Sequence, residues 1–168
     1  MTGIIYIHVP KCGGSSFGAA LRLRYIFSQS SIALNQGNTE LKGPARIWND
    51  YDARDEQLQK LTSENTKLIC GHVRYNRSLH KSLNHKYAFV TLLRDPVERF
   101  VSHYNYLQRH HPSPHRPNTL SAFLDTEDAQ RLASQYLFYF ARLDQTMGAN
   151  TSRLIKKAID NLARFDLV

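Results

Sequence analysis

Cysteine is scarce. Cys12 and Cys70 are the two in 168 residues, too few for a disulfide framework and at a spacing that builds no zinc site. Free thiols in a reducing compartment are what such usage implies. No apolar run approaches the ~20 residues that a membrane-spanning helix needs, so no membrane span is expected. The N-terminus lacks the charged-then-apolar pattern and the small-residue cleavage site of a secretory leader. The expected location is cytoplasmic, and the glycosylation-type triplets at Asn76 and Asn150 carry no weight. Acidic residues are outnumbered, 14 against 22 lysines and arginines, for a formal net charge of +8. That excess favours anionic partners. The charge is spread along the chain without a dense run, so a nucleic-acid partner is not expected.

What is present fits one globular domain, with 42% hydrophobic and 21% charged residues. Ile4 to His8 is an apolar, β-branched strand that Gly13 and Gly14 break. A helix follows, capped by Ser15 or Ser16 and carrying Phe17, Ala20, Leu21 and Tyr25 at helical spacing. Residues 28–46 are polar and punctuated by Gly and Pro, and are expected to be a loop. A helix around 55–62 precedes the strand Lys67 to Cys70, ended by Gly71-His72. The strongest strand, 86–93 (KYAFVTLL), runs into Arg94-Asp95-Pro96. Asp95 there is an N-cap, Pro96 suits the first helical position and Glu98 completes a capping-box pattern. Val97, Phe100, Val101, Tyr104 and Leu107 form the apolar stripe of this helix. A proline-rich loop (110–118) and two or three further helices over 119–141 and 150–164 complete the chain. Strands separated by helices imply an α/β fold around a mainly parallel sheet.

Two segments carry chemistry. In "IYIHVPKCGGSSF" (5–17) the glycines allow close approach of an anion to the backbone N–H groups of the following helix, whose dipole adds positive charge. Lys11, Ser15 and Ser16 supply further donors. The lysine precedes the glycines, whereas a nucleoside-triphosphate loop places it after them. By itself the segment reads first as a strand–turn–helix junction with an incidental lysine, since short motifs produce many false matches. In the second segment, "LLRDPVERFVSHYNYL", Arg94 ends a strand, and Ser102 groups with Arg99 and Tyr106, away from the apolar stripe. Both are placed to face a ligand at the C-terminal sheet edge, where open α/β sheets bind theirs. The alternative is an Arg94 paired to a local carboxylate and a solvated Ser102.

In this order and spacing the two segments resemble the cofactor motifs of sulfotransferases. The likeness is to the carbohydrate branch that includes the heparan sulfate 2-O- and 6-O-sulfotransferases and bacterial relatives. The resemblance implies a P-loop-like three-layer α/β fold with a mainly parallel sheet flanked by helices. It also implies in-line sulfuryl transfer from 3′-phosphoadenosine 5′-phosphosulfate (PAPS), without a metal, to a hydroxyl acceptor that is anionic or a carbohydrate. Lys11, Gly13, Gly14, Ser15, Ser16 and Phe17 fall at its 5′ end, and Arg94 and Ser102 at the 3′-phosphate. Lys11 is then the cation beside the departing phosphate oxygen. A Gly-His pair at this point of the 2-O branch makes His72 the catalytic base, with an ordinary pKa near ~6.5 suited to that task. His8 is the second choice, better suited to shaping the loop.

Arg74, Arg77, Lys81, Arg99 and Arg109 are candidates for an anionic acceptor groove, against the simpler role of solvated charges. His103, His110, His111 and His115 are expected on a solvated surface. Trp48 is expected in a loop, packed in the core or stacked on a ring. Family members continue past "NLARFDLV", so residues 1–168 are expected to be a single sulfotransferase-like domain truncated at its C-terminus, its last residues a strand. Two other functions stay open: a P-loop kinase or NTPase, and a non-catalytic relative that keeps the nucleotide site. The oligomeric state has no signature.

Overall fold

The computed structural model describes residues 3–32, 43–143 and 151–168, with the side chains of 43–45 and 48 outside that description. Four strands form one sheet: β1 (Gly3–Ile7), β2 (Gln29–Ile32), β3 (Leu68–Gly71) and β4 (Tyr87–Thr91). Their spatial order is β2-β3-β1-β4 and every pairing is parallel. The β1 strand is central, with Ile5 opposite Ile69 on one side and Phe89 on the other.

Alternation along the strands builds two cores. Ile5, Ile7, Ile69, Tyr87 and Phe89 face one way. They pack on Leu58 and Leu61 of α2 (Gly43–Ser63), on Tyr139 to Ala141 of α7 (Gln135–Ala141) and on Ala158 of α8 (Thr151–Leu162). Ile4, Tyr6, Leu68, Cys70 and Val90 face the other way, onto Phe17, Leu21 and Tyr25 in and just after α1 (Gly14–Arg24). Helices therefore cover both faces of a parallel sheet, the three-layer arrangement expected. A satellite core joins Phe100 and Tyr104 of α4 (Pro96–His110) to Phe123 of α5 (Leu120–Leu124) and Ala129 of α6 (Glu127–Ala133). No helix among the described residues is long and apolar enough to cross a membrane.

Several expectations need correction. Residues 29–32, expected in a loop, form the edge strand β2; Ser28 anchors its start, its carbonyl accepting from the Leu68 N–H at 3.0 Å. The helix expected at 55–62 begins at Gly43, so Trp48 lies in α2 and not in a loop. What the Trp48 side chain packs on falls outside the described residues. A short helix, α3 (Arg77–Leu83), was not expected; the Asn76 side chain caps it, accepting from Ser78 and Leu79 N–H. In α4, Asp95 accepts from the Val97 and Glu98 N–H groups with Pro96 at the first position, as expected. Val97, however, is 70% exposed and leaves the apolar stripe. The chain's last residues, expected as a strand, form no strand: Leu167 alone makes an isolated parallel bridge to Val90 beside β4.

Candidate functional site

The C-terminal edge of the sheet gathers both chemical segments. The first leaves β1 at His8, whose N–H donates to Gly71 O (2.9 Å) while its carbonyl accepts from His72 Nδ1 (2.6 Å). Three residues further on, the backbone turns through left-handed conformations, at Lys11 (φ 66°) and again at Gly13 (φ 78°). Glycine adopts such a φ freely, whereas a lysine there stores about 1–2 kcal/mol of strain, a feature that clusters at functional sites. Gly13, not a serine, is the N-cap of α1, and no side chain caps it. Ser15 and Ser16 stand exposed in the first turn. Gly14 is buried against the Tyr6 hydroxyl and the His8 ring, both of which a Cβ would overlap. Phe17 packs edge-on against Tyr6 at 5.1 Å and belongs to the core below α1.

The second segment leaves β4 at Thr91, whose hydroxyl donates to Ile7 O at 2.9 Å and ties the two strand ends together. Arg94 follows, its Nε paired with Glu98 Oε2 at 3.0 Å. A cleft of about 620 Å³, within the size range of small-molecule sites, is lined by Lys11, Arg94, Ser102, Tyr106 and Arg109 among others. Lys11 Nζ lies 4.3 Å above the centre of the Tyr106 ring, a cation–π contact that joins the loop to α4. Asp95 and Glu98 also line this cleft, but both are engaged, one capping α4 and the other pairing with Arg94. Three cations against two carboxylates leave the cleft one net positive charge, with Arg94 paired to Glu98, the local carboxylate that the alternative reading of Arg94 called for. Among the described residues, no group of three or more His, Cys, Asp or Glu side chains could hold a metal ion.

Lys11, some eighty residues before Arg94 in the chain, thus shares one cleft with Arg94 and Ser102. Gly13, Gly14, Ser15, Ser16 and Phe17 form the adjoining turn and first helical turn without lining it. His72 stands apart from the lining too. It stacks on His8 with ring centroids 4.6 Å apart. Because the His8 carbonyl can only accept, His72 Nδ1 carries the proton and Nε2 keeps its lone pair. Burial lowers the His72 pKa, opposed by the bond to His8 and assisted by Arg54. The imidazole is therefore neutral at pH 7. Arg54, 6% exposed, donates to the His72 carbonyl at 3.3 Å.

Two arginines expected at an acceptor groove are buried. Arg99, 1% exposed, donates to Gln135 Oε1 and Leu132 O, and Arg74 pairs with Asp52 and Asp55. His103, expected on the surface, is half-buried; burial, then Arg99, pushes its pKa down to about 4, opposed by a hydrogen bond with Gln135 and assisted by Lys11. The sequence reasoning did not recognise Tyr106 as a site residue, though its position four residues beyond Ser102 on the same helical face marks it.

A profile of the sulfotransferase family matches residues 2–138, a span that holds both segments. Among solved structures, a gluconokinase from Sinorhizobium meliloti 1021 is similar over 96% of this chain and 91% of its own, at 18% identity and a TM-score of 0.43. No curated protein matches.

Proposed function

The chain belongs to the sulfotransferase family, and from that premise we propose that it moves a sulfuryl group from PAPS to a carbohydrate hydroxyl. The observation that carries this is the single cleft lined by Lys11, Arg94 and Ser102. Its size and its surplus of cations fit a ligand with phosphate groups at two ends. Lys11 would hold the 5′ end from within the cleft, with the helix N-terminus at Gly13 to Phe17 adjoining it, and Arg94 with Ser102 would hold the 3′-phosphate. When bound there, PAPS supplies an activated sulfuryl group, with negative charge left on a phosphate oxygen.

The chain's own contribution is placement and charge. Lys11, held by its strained backbone and by Tyr106, keeps an ammonium where negative charge develops; in known enzymes, loss of one such donor costs about 2.7–4 kcal/mol. His72 stands apart from the cleft lining; the family likeness gives it the role of base, and its neutral ring, with Nε2 free of the proton, suits it to take the proton of the acceptor hydroxyl. The bond from His72 Nδ1 to the His8 carbonyl fixes that tautomer. Arg109, at the rim of the same cleft, is placed to meet an anionic acceptor.

The test is transfer of labelled sulfate from PAPS across a panel of polysaccharide and small-molecule acceptors, with His72→Ala alongside. Expected is labelled product from the wild type and at least a hundredfold slower transfer by the variant, in line with the usual 10²–10⁴ contribution of a general base. Nucleotide binding without transfer to any acceptor would instead mark a non-catalytic relative. Near wild-type transfer by His72→Ala would remove His72 from the role of base.

A further inference from the structure

Tyr136, on α7, stands 42 residues from Arg94 and 124 from Cys12, yet its hydroxyl meets both. It donates to Arg94 O at 2.6 Å and accepts from Arg94 N–H at 3.0 Å. The Cys12 thiol lies 3.4 Å away. A phenol has one proton to give and two lone pairs to receive. With the proton committed to Arg94 O and one lone pair to Arg94 N–H, the second lone pair faces the Cys12 thiol, whose single proton also has the Pro10 carbonyl within reach at 3.8 Å. These three groups surround the hydroxyl.

Those partners belong to different segments. Cys12 sits between Lys11 and Gly13, in the middle of the positive-φ turn. Arg94 is the junction where β4 ends and α4 begins. The ring is itself fixed, with the buried Arg99 guanidinium 5.2 Å from its centre. Burial raises the Tyr136 pKa to about 12, so the phenol keeps its proton at any physiological pH.

We propose that Tyr136 is a positioning residue that holds the Lys11 turn and the Arg94 junction in register, so that the two anion-binding segments act as one site. The inference rests on the nucleotide site described above. Tyr136 touches neither ligand nor reacting atoms; it acts through the backbone of Arg94 and through Cys12.

The test is a calorimetric titration of 3′-phosphoadenosine 5′-phosphate into the full chain, its Tyr136→Phe and Arg94→Ala variants and the double variant. Tyr136→Phe keeps the ring and its contact with Arg99. It is expected to weaken binding by about tenfold, the scale of one to two net hydrogen bonds. In the Arg94→Ala background the further loss is expected to be about threefold or less, since part of the brace no longer has anything to position. A purely structural role would give losses that multiply in the double variant, and that result, or wild-type affinity in Tyr136→Phe, overturns the proposal. Cys12→Ala removes one leg of the brace and leaves Tyr136 in place; a loss of about threefold supports the brace, and unchanged affinity overturns it. If the wild type itself does not bind the nucleotide, the nucleotide site fails while the brace is judged by alkylation of Cys12 with iodoacetamide, read by peptide mass. Alkylation at least about fivefold faster in Tyr136→Phe then supports the brace, and equal rates overturn it.

Discussion

The two segments that meet at the cleft are built by opposite means. The Lys11 turn is shaped by backbone conformation and steric fit: two positive φ values, a helix start without a side-chain cap, and a glycine pressed against Tyr6 and His8. The Arg94 junction is shaped by side-chain hydrogen bonds, with Asp95 capping α4 and Glu98 pairing with Arg94. The first leaves its N–H groups open for an anion because no side chain of its own takes them. The second spends its side chains on the helix and offers an arginine and a serine instead. A steric device fails abruptly when filled, whereas a hydrogen-bonded one weakens by degrees.

The largest effect therefore belongs to Gly14. Gly14→Ala places a methyl group into the Tyr6 hydroxyl and the His8 ring, and is expected to cost about 2–3 kcal/mol of stability and to abolish nucleotide binding. Gly13→Ala, with open space around its Cβ but a φ of 78°, should cost only about 1–2 kcal/mol. Urea melts of both variants decide it; equal costs would mean that the fit against Tyr6 and His8 is not what shapes the turn.

An intermediate effect comes from pH. His8 in the first segment and His103 in the second both have pKa values pushed down to about 4, by burial first and then by neighbouring cationic groups. Unfolded, each returns toward 6.5. Between those values the unfolded chain binds more protons, so stability falls as pH drops from about 6.5 to about 4. Denaturant melts from pH 7.5 to pH 4.5 should show this slope in the wild type and a shallower one in His103→Gln. A flat wild-type profile would contradict the burial of both rings.

The smallest effect is Asp95→Ala. Loss of the cap should cost about 1 kcal/mol and weaken binding only modestly, because the Lys11 turn has no part in it. A collapse of binding comparable to that of Gly14→Ala would show that the two segments do not differ in the way their structures indicate.

Much of this fold was legible because local signals agreed with it. The apolar alternation of β1 and β4 and the Asp95-Pro96 start of α4 each need only a few neighbouring residues to decide. The edge strand β2 was missed because "QSSI" has no apolar run and is ordered by pairing with β3, a partner some forty residues away. Arg74 and Arg99 were read as surface charges because their partners, Asp52 and Asp55 for one and Leu132 and Gln135 for the other, lie more than eighteen residues away in the chain. Lys11, Arg94 and Ser102 were singled out from the two motifs, and the structure places them in one cleft. Tyr136 carried no sequence signal at all, since a hydroxyl that braces two loops looks like any aromatic residue of a core helix.

The most direct measurement is calorimetric titration of 3′-phosphoadenosine 5′-phosphate into the wild type, Lys11→Ala and Arg94→Ala. One ligand spanning both segments predicts wild-type binding and a loss of at least about tenfold in each variant, the scale of a charge-assisted hydrogen bond. Unchanged affinity in both variants would contradict a single site shared by the two segments.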